Sequence, residues 1–274
     1  MKERVPVVAN LILAVGMILS VAASVVSPLL IKESLFIGFS LLVFITELRF
    51  MDELKDYEKD KVAHPDRPLP RGLVTKQQVN FLIKFSFCLL LACVALSYLF
   101  FNPFAGHYLL LTSVWLYLMY NEFFIGETLS KSPIIYAITH QVIIIPACLF
   151  AFAVFGQTEI TTEVIGFCFL VLSSFFIFEV GRKMDPQSNP ILGTYLVHYG
   201  KLKTNLLITF LAAIGLYGTM LLGKMWWWGM APFLLTVLTQ LRIWFQVNRF
   251  KDLEGMIALN LIFNMWLVAI AGWV

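Results

Sequence analysis

DELKDYEKDKVAHPDRPLPRG, residues 52–72, places six acids and five bases within twenty-one positions. The chain around it is apolar. Of its 274 residues 59% are hydrophobic and 14% charged, with a mean hydropathy of +0.82, far from the balance of a soluble domain. A helix needs about 20 apolar residues to cross a bilayer. Windows of that kind fall at 5–30, 33–52, 78–101, 106–125, 132–156, 163–182, 203–223, 225–247 and 255–274. The composition predicts an all-α, polytopic membrane protein of nine transmembrane helices, with the charged stretch at the end of the second. The first window follows MKER and contains VAASVVS, small residues that suit signal cleavage, but its apolar run is longer than a signal core, so it is read as a retained span.

Lys and Arg collect on the cytoplasmic side of membrane proteins. With the N-terminus inside, that side carries Lys2, Arg4, Lys55, Lys59, Lys61, Arg67, Arg71, Lys76, Lys131, Arg182, Lys183, Lys201, Lys203, Arg249 and Lys251, against only Lys32 and Lys224 opposite. This bias puts the 52–72 stretch and a second polar segment, GRKMDPQSN at 181–189, on the cytoplasmic face and the C-terminal Val274 outside. The net charge of +3 reflects that topology and gives no sign of nucleic-acid binding. Cys88, Cys93, Cys148 and Cys168 all lie in apolar windows without a C-x-x-C pair and read as small buried hydrophobes. Nothing marks a soluble domain, a linker or a short repeat, so residues 1–274 read as a single helical bundle.

At about 100° per residue, Arg49, Glu53, Asp56 and Asp60 project within a narrow sector, with Asp52 beside them. Such a stripe also suits a solvated helix end. Its spacing argues otherwise, because like charges at i and i+4 cost a helix about 0.2–0.5 kcal/mol per pair, and Asp52, Asp56 and Asp60 repeat that spacing twice. A hard divalent cation offsets the repulsion: Mg²⁺ binds through one or two carboxylates, keeps waters and completes its shell from substrate phosphate. Acids with bases downstream therefore point to a metal-bridged diphosphate. His64, alone in the segment, reads as a helix-end or loop residue.

DELKDYEKD followed by RPLPRG resembles the first aspartate-rich motif of the UbiA superfamily of intramembrane prenyltransferases, N-D-x-x-D-x-x-x-D and then R-P-x-x-x-G. Asp52 stands at the family's Asn, Glu53, Asp56 and Asp60 at its three Asp, and Arg67, Pro68 and Gly72 in the terminal signature. The span count and the cytoplasmic placement extend the resemblance over nearly the whole chain. The family's second motif, a Lys-Asp pair and a further Asp near the end of the sixth span, corresponds to FEVGRKMDPQSN, where Glu179, Arg182 and Lys183 share a helix face and Asp185 precedes Pro186. The resemblance implies Mg²⁺ held by Asp52, Glu53, Asp56 and Asp60 on one side and Glu179 and Asp185 on the other. It makes Glu53, Asp56 and Asp60 the catalytic acids, and Arg49, Arg67, Asn121, Lys131, Arg182 and Lys183 the substrate-binding groups.

Within the membrane, YLMYNEFFIGE and SKSPIIYAITHQ bring Glu122 and His140 to depths where an ionisable group faces a cavity or a partner. Asn121, Glu122, Lys131, Tyr136 and His140 are placed near the pocket; an interfacial Glu122 and a packing His140 stay open as alternatives. WWW at 226–228 reads as an interfacial belt, and other aromatics suit an allylic cation through their ring faces. The implied partners are a prenyl diphosphate, a lipophilic acceptor and membrane lipid. An aromatic ring or lipid hydroxyl capturing the cation makes a transferase. Capture by the chain's own double bonds makes a terpene cyclase, and a transporter is the remaining class.

Overall fold

The computed structural model describes residues 7–25, 30–187, 190–223, 226–245 and 250–272. Lys2, Arg4, Lys224, Arg249 and Val274, which enter the orientation argument, lie outside the described residues. Twelve helices account for the architecture, with no strand among the described residues. They are α1 (Val7–Val25), α2 (Ile31–Lys55), α3 (Tyr57–Ala63), α4 (Lys76–Phe100), α5 (Pro103–Tyr120), α6 (Gly126–Leu129), α7 (Pro133–Gln141), α8 (Ile144–Val154), α9 (Thr162–Gly181), α10 (Tyr195–Leu221), α11 (Met230–Phe245) and α12 (Phe250–Gly272). In lipid every backbone N–H and C=O must be satisfied within the segment, which is why apolar runs of this length fold as helices.

Each of the nine windows holds a helix, the fifth being shared by α7 and α8. Among the described residues, seven spans are long and apolar enough to cross a membrane: α1, α2, α4, α7 with α8, α9, α10 and α12. α5 has 18 residues and α11 has 16, and neither reaches that measure. The protein is an integral, multi-pass, all-helical bundle.

Consecutive spans pack side by side, α1 on α2, α2 on α4, α4 on α5, α5 on α8, α8 on α9, α9 on α10, α10 on α11 and α11 on α12. α12 returns to α1, closing a ring. The most protein-buried spans are α9 and the α7–α8 pair, and Phe152 and Phe167 meet edge to face at 5.3 Å between them. Outward positions stay apolar because lipid replaces water there: Phe81, Leu99 and Phe210 are all well exposed. Cys93, Cys148 and Cys168 are buried as expected, but Cys88 is exposed on the outer side of α4. Lipid suits a thiol there as well as protein does.

Small residues let α9 and α10 approach closely. A Cβ added at Gly218 in α10 would stand 2.6 Å from the Gly166 carbonyl oxygen of α9, and one at Gly166 would stand 2.6 Å from the Gly218 carbonyl. The two backbones touch there, as small residues allow within membranes. Polar seams reinforce the packing: Asn264 of α12 donates to Ser174 of α9 at 2.9 Å and to Asn260 at 2.6 Å.

Breaks in the helices position the polar end. α2 yields to α3 at Asp56, whose φ of −83° and ψ of −4° interrupt the regular helix. The span of α7 and α8 breaks at Val142 and Ile143, just ahead of Pro146, which has no N–H to extend the ladder. α10 contains Gly200 at φ +71°, a left-handed conformation that sets its first turn apart from the rest of the span.

Candidate functional site

Three helix ends meet at one end of the bundle: α2 with its continuation α3, α5 with the turn after it, and α9. The acids of α2 lie at the first. Asp52 is held 3.9 Å from Arg49, one turn back on the same helix. Asp56 occupies the break itself, at the position before α3. The Asp56 N–H donates to the Asp52 carbonyl at 2.9 Å and the Asp60 N–H to the Asp56 carbonyl at 2.8 Å, so the stripe from Arg49 to Asp60 runs on across the interruption. Asp60 is turned inward, 1% exposed, and pairs with Arg67; Glu53 is also buried.

Arg67 opens a compact loop that explains the RPLPRG signature. The Arg71 N–H donates to the Arg67 carbonyl at 3.0 Å, and the Gly72 N–H to that of Leu69 at 3.1 Å. Gly72 has φ +77°, where a side chain is disfavoured. Thr75 and Gln78 then form a capping box that starts α4. Outside this loop, Lys61 and Lys76 stand over the Tyr57 ring at 4.7 and 3.8 Å, and Glu58 reaches both ammonium groups, at 2.9 and 3.5 Å. The hydrogen bond from Lys61 draws the Glu58 carboxyl below its usual range. This clasp fixes α3 to the start of α4.

The second polar segment faces the first. Glu179, in the last turn of α9, accepts from Arg182 Nε at 2.7 Å and pairs with Lys183 through its other oxygen. Glu179 above all, and with it the more distant charges of Asp52 and Asp56, raise the Arg182 guanidinium above its ordinary range, against burial, which opposes the charge. Residues more than 120 apart in sequence are thus brought to the same end of the bundle. The 190–192 turn also packs against α3. Asp185 accepts from the Gln187 N–H at 2.9 Å, within its own turn.

Lys55 ends α2 and crosses to the third helix end. Its ammonium donates to the Met119 carbonyl at 3.2 Å and to the Tyr136 hydroxyl at 2.9 Å, and stands 3.4 Å from Glu122. A cation on the exposed carbonyls of a helix C-terminus is favoured by the helix dipole. Tyr136, on α7, lies within electrostatic reach of Glu122, Asp52, Asp56 and Glu179. Its hydroxyl ties α7 to the end of α2 through Lys55.

Two expected residues stand apart from this cluster. Asn121 returns its amide to Tyr117 of its own helix at 2.8 Å, and Lys131 sits exposed in the turn between α6 and α7. Lys55 falls off the acidic stripe, so the spacing does not single it out. Its reach across the helix ends depends on where α5 stops, which the Asn-Glu after Tyr120 hints at without giving the direction.

Asp52 and Asp56 are close enough for their charges to act on one another. Two such carboxylates suit one Mg²⁺, which takes one or two from the protein and the rest of its shell from water and phosphate. Among the described residues no three Asp, Glu, His or Cys converge into a complete cage. The set fits a cation shared with a phosphorylated substrate.

The family model of UbiA prenyltransferases matches residues 9–268. The chain belongs to the UbiA prenyltransferase family. Among solved structures it is similar to a digeranylgeranylglyceryl phosphate synthase, with 20% identity, 98% of this chain and 95% of that one covered, and a TM-score of 0.65. It is also similar to the apo structure of a UbiA homolog from Aeropyrum pernix K1, with 13% identity, 96% and 98% covered, and a TM-score of 0.70. At these identities the structures establish the UbiA fold. No curated protein matches the chain.

Proposed function

We propose that this UbiA-family protein is a Mg²⁺-dependent prenyltransferase, working as one membrane domain that moves a prenyl group from a prenyl diphosphate to an aromatic or lipid acceptor. The observation that carries the reading is that the two polar segments pack together at one end of the bundle, the 190–192 turn that follows Arg182 and Lys183 meeting α3, which continues from Asp52 and Asp56. Carboxylates for a cation and fixed bases for a phosphate, side by side at the end of an apolar bundle, match a diphosphate with a lipid tail. The bias of Lys and Arg supports a cytoplasmic site.

Asp52 and Asp56 would hold Mg²⁺, with Glu53 and Asp60 behind them. Bound there, the cation neutralises charge on a departing diphosphate. Arg182 spends part of its five-donor fork on Glu179 and keeps the rest for phosphate oxygens, and Lys183 has three donors for one carboxylate oxygen. Glu179 thus orients both bases while they bind, and Asp185 belongs to the turn that follows. Arg67, held by Asp60, adds positive charge at the same end. Preorganised charge of this kind lowers the barrier to breaking the allylic C–O bond, and the apolar helices keep water from the cation that forms.

Pyrophosphate release by the purified full-length protein tests the reading. Asp56→Asn should lower it by about 100-fold or more while the solubilised protein keeps its melting temperature. Unchanged Mg²⁺-dependent release from that variant would remove Asp56 from the site.

A further inference from the structure

His140 is the last-turn residue of α7, one turn on from Tyr136, and its ring stacks on the Tyr136 ring at 4.0 Å with 15° between the planes. Its Nδ1 lies 2.8 Å from the Tyr136 carbonyl oxygen. A carbonyl can only accept, so in the neutral imidazole Nδ1 carries the proton and Nε2 presents a lone pair. Nε2 is buried and has no hydrogen-bond partner among the described residues. A buried acceptor left unsatisfied costs free energy, and such atoms in a native fold call for a reason.

The surroundings supply one. Lys55 from α2, Glu122 from the turn after α5 and Glu179 from α9 all act electrostatically on His140, and Tyr136 touches it. The Lys55 ammonium that donates to the Tyr136 hydroxyl stands 3.4 Å from Glu122, so a phenol, an ammonium and a carboxylate are gathered beside the imidazole. Phe123 meets the His140 ring edge-on at 5.9 Å and Trp115 at 5.5 Å, while the Trp115 indole donates to the Thr139 carbonyl at 2.9 Å. Phe123 sits in an unusual turn. Glu122, Phe123 and Phe124 have φ of 49°, 53° and 59°, three consecutive left-handed residues without a glycine, a conformation that bulky side chains rarely take. Lys55 holds the first of them through Glu122.

We infer that His140 Nε2 is the proton acceptor for the hydroxyl of the acceptor substrate, and that the strained turn carrying Phe123 is the cover that shifts when the acceptor enters. The inference rests on the transferase reading and narrows it to acceptors that react through oxygen, alcohols or phenols. In the step, the O–H proton moves to Nε2 and the freed oxygen electron pair forms a C–O bond to the allylic carbon. The bond from that carbon to the diphosphate breaks, its electrons leave with pyrophosphate, and the imidazolium then returns its proton to water.

Transfer by the full-length protein in liposomes, with Mg²⁺, a panel of prenyl diphosphates of graded chain length, and long-chain alcohols or phenols as acceptors, tests this. His140→Ala and His140→Gln should lower kcat by about 100-fold or more and leave the KM for prenyl diphosphate unchanged, and added imidazole should restore part of the His140→Ala rate. Gln keeps an amide donor for the Tyr136 carbonyl and carries the comparison if the Ala variant does not fold. Wild-type kcat in His140→Gln, or a folded His140→Ala that imidazole does not rescue, would overturn the role of His140. So would a wild type that prenylates only ring carbon, with transfer itself intact. No transfer to any acceptor by the wild type would instead defeat the transferase reading and this inference with it.

Discussion

Both oxygens of Glu179 are taken by cations, Arg182 and Lys183, and this separates it from Asp52 and Asp56 at the other side of the site. From sequence the three acids look alike, as metal ligands in two motifs. What differs is the neighbour: in a helix end, residues three and four positions on fall on the same face, and here both are basic. Glu179→Gln should therefore act on phosphate binding more than on metal binding. A rise of about tenfold in the KM for prenyl diphosphate, the size of one lost charge-assisted hydrogen bond of about 1.5 kcal/mol, with the Mg²⁺ dependence unshifted, is the expected outcome of steady-state kinetics. A weakened Mg²⁺ dependence would return Glu179 to the metal. Asp60 shows the same principle: its spacing fits the stripe, but burial against Arg67 ties it to the loop that ends in Gly72.

At the scale of helices, α9 and α10 meet backbone to backbone at Gly166 and Gly218. A methyl at Gly218 meets the Gly166 carbonyl and the Leu170 nitrogen, both backbone atoms that cannot turn aside. Gly218→Ala should destabilise the detergent-solubilised protein by about 1–3 kcal/mol, read as a lower melting temperature, and should loosen α9, which carries Glu179. An unchanged melting temperature would show that the helices part at no cost. Most helices were legible in the sequence because apolar length is a strong signal and their starts carry plain caps: Thr75, Asn102 before Pro103, Ser132 before Pro133, Thr161 and Thr194. The interruptions were not. A break at Asp56 leaves hydropathy untouched, Val142 and Ile143 are as apolar as their neighbours, and the left-handed turn at Glu122 is made by residues with no preference for it. Only the α7–α8 break has a plain local signal, Pro146 shortly after it.

Across the whole molecule, the ring closed by α1 and α12 gathers the ends of α2, α5 and α9 on one side, and the order of the spans makes that side cytoplasmic if the N-terminus is inside. Val62, exposed on α3, reports this directly: Val62→Cys in a cysteine-free background should resist an impermeant thiol reagent in intact cells and react after permeabilisation. Labelling in intact cells would invert the bundle. The sequence also conveyed that two polar segments far apart in the chain belong together, through their shared placement at the ends of even-numbered spans. It places Tyr136 near the pocket and Lys55 inside DELKDYEKD, but it did not convey that a hydrogen bond joins the two. The most direct test of the account is whether pyrophosphate leaves only as an acceptor is prenylated. The full-length protein in liposomes, given Mg²⁺, a prenyl diphosphate and an aromatic or lipid acceptor, should release pyrophosphate and prenylated acceptor in equal amounts, and chelation of Mg²⁺ should stop both. Cyclised hydrocarbon formed without any acceptor, or no pyrophosphate from any prenyl diphosphate tried, would contradict it.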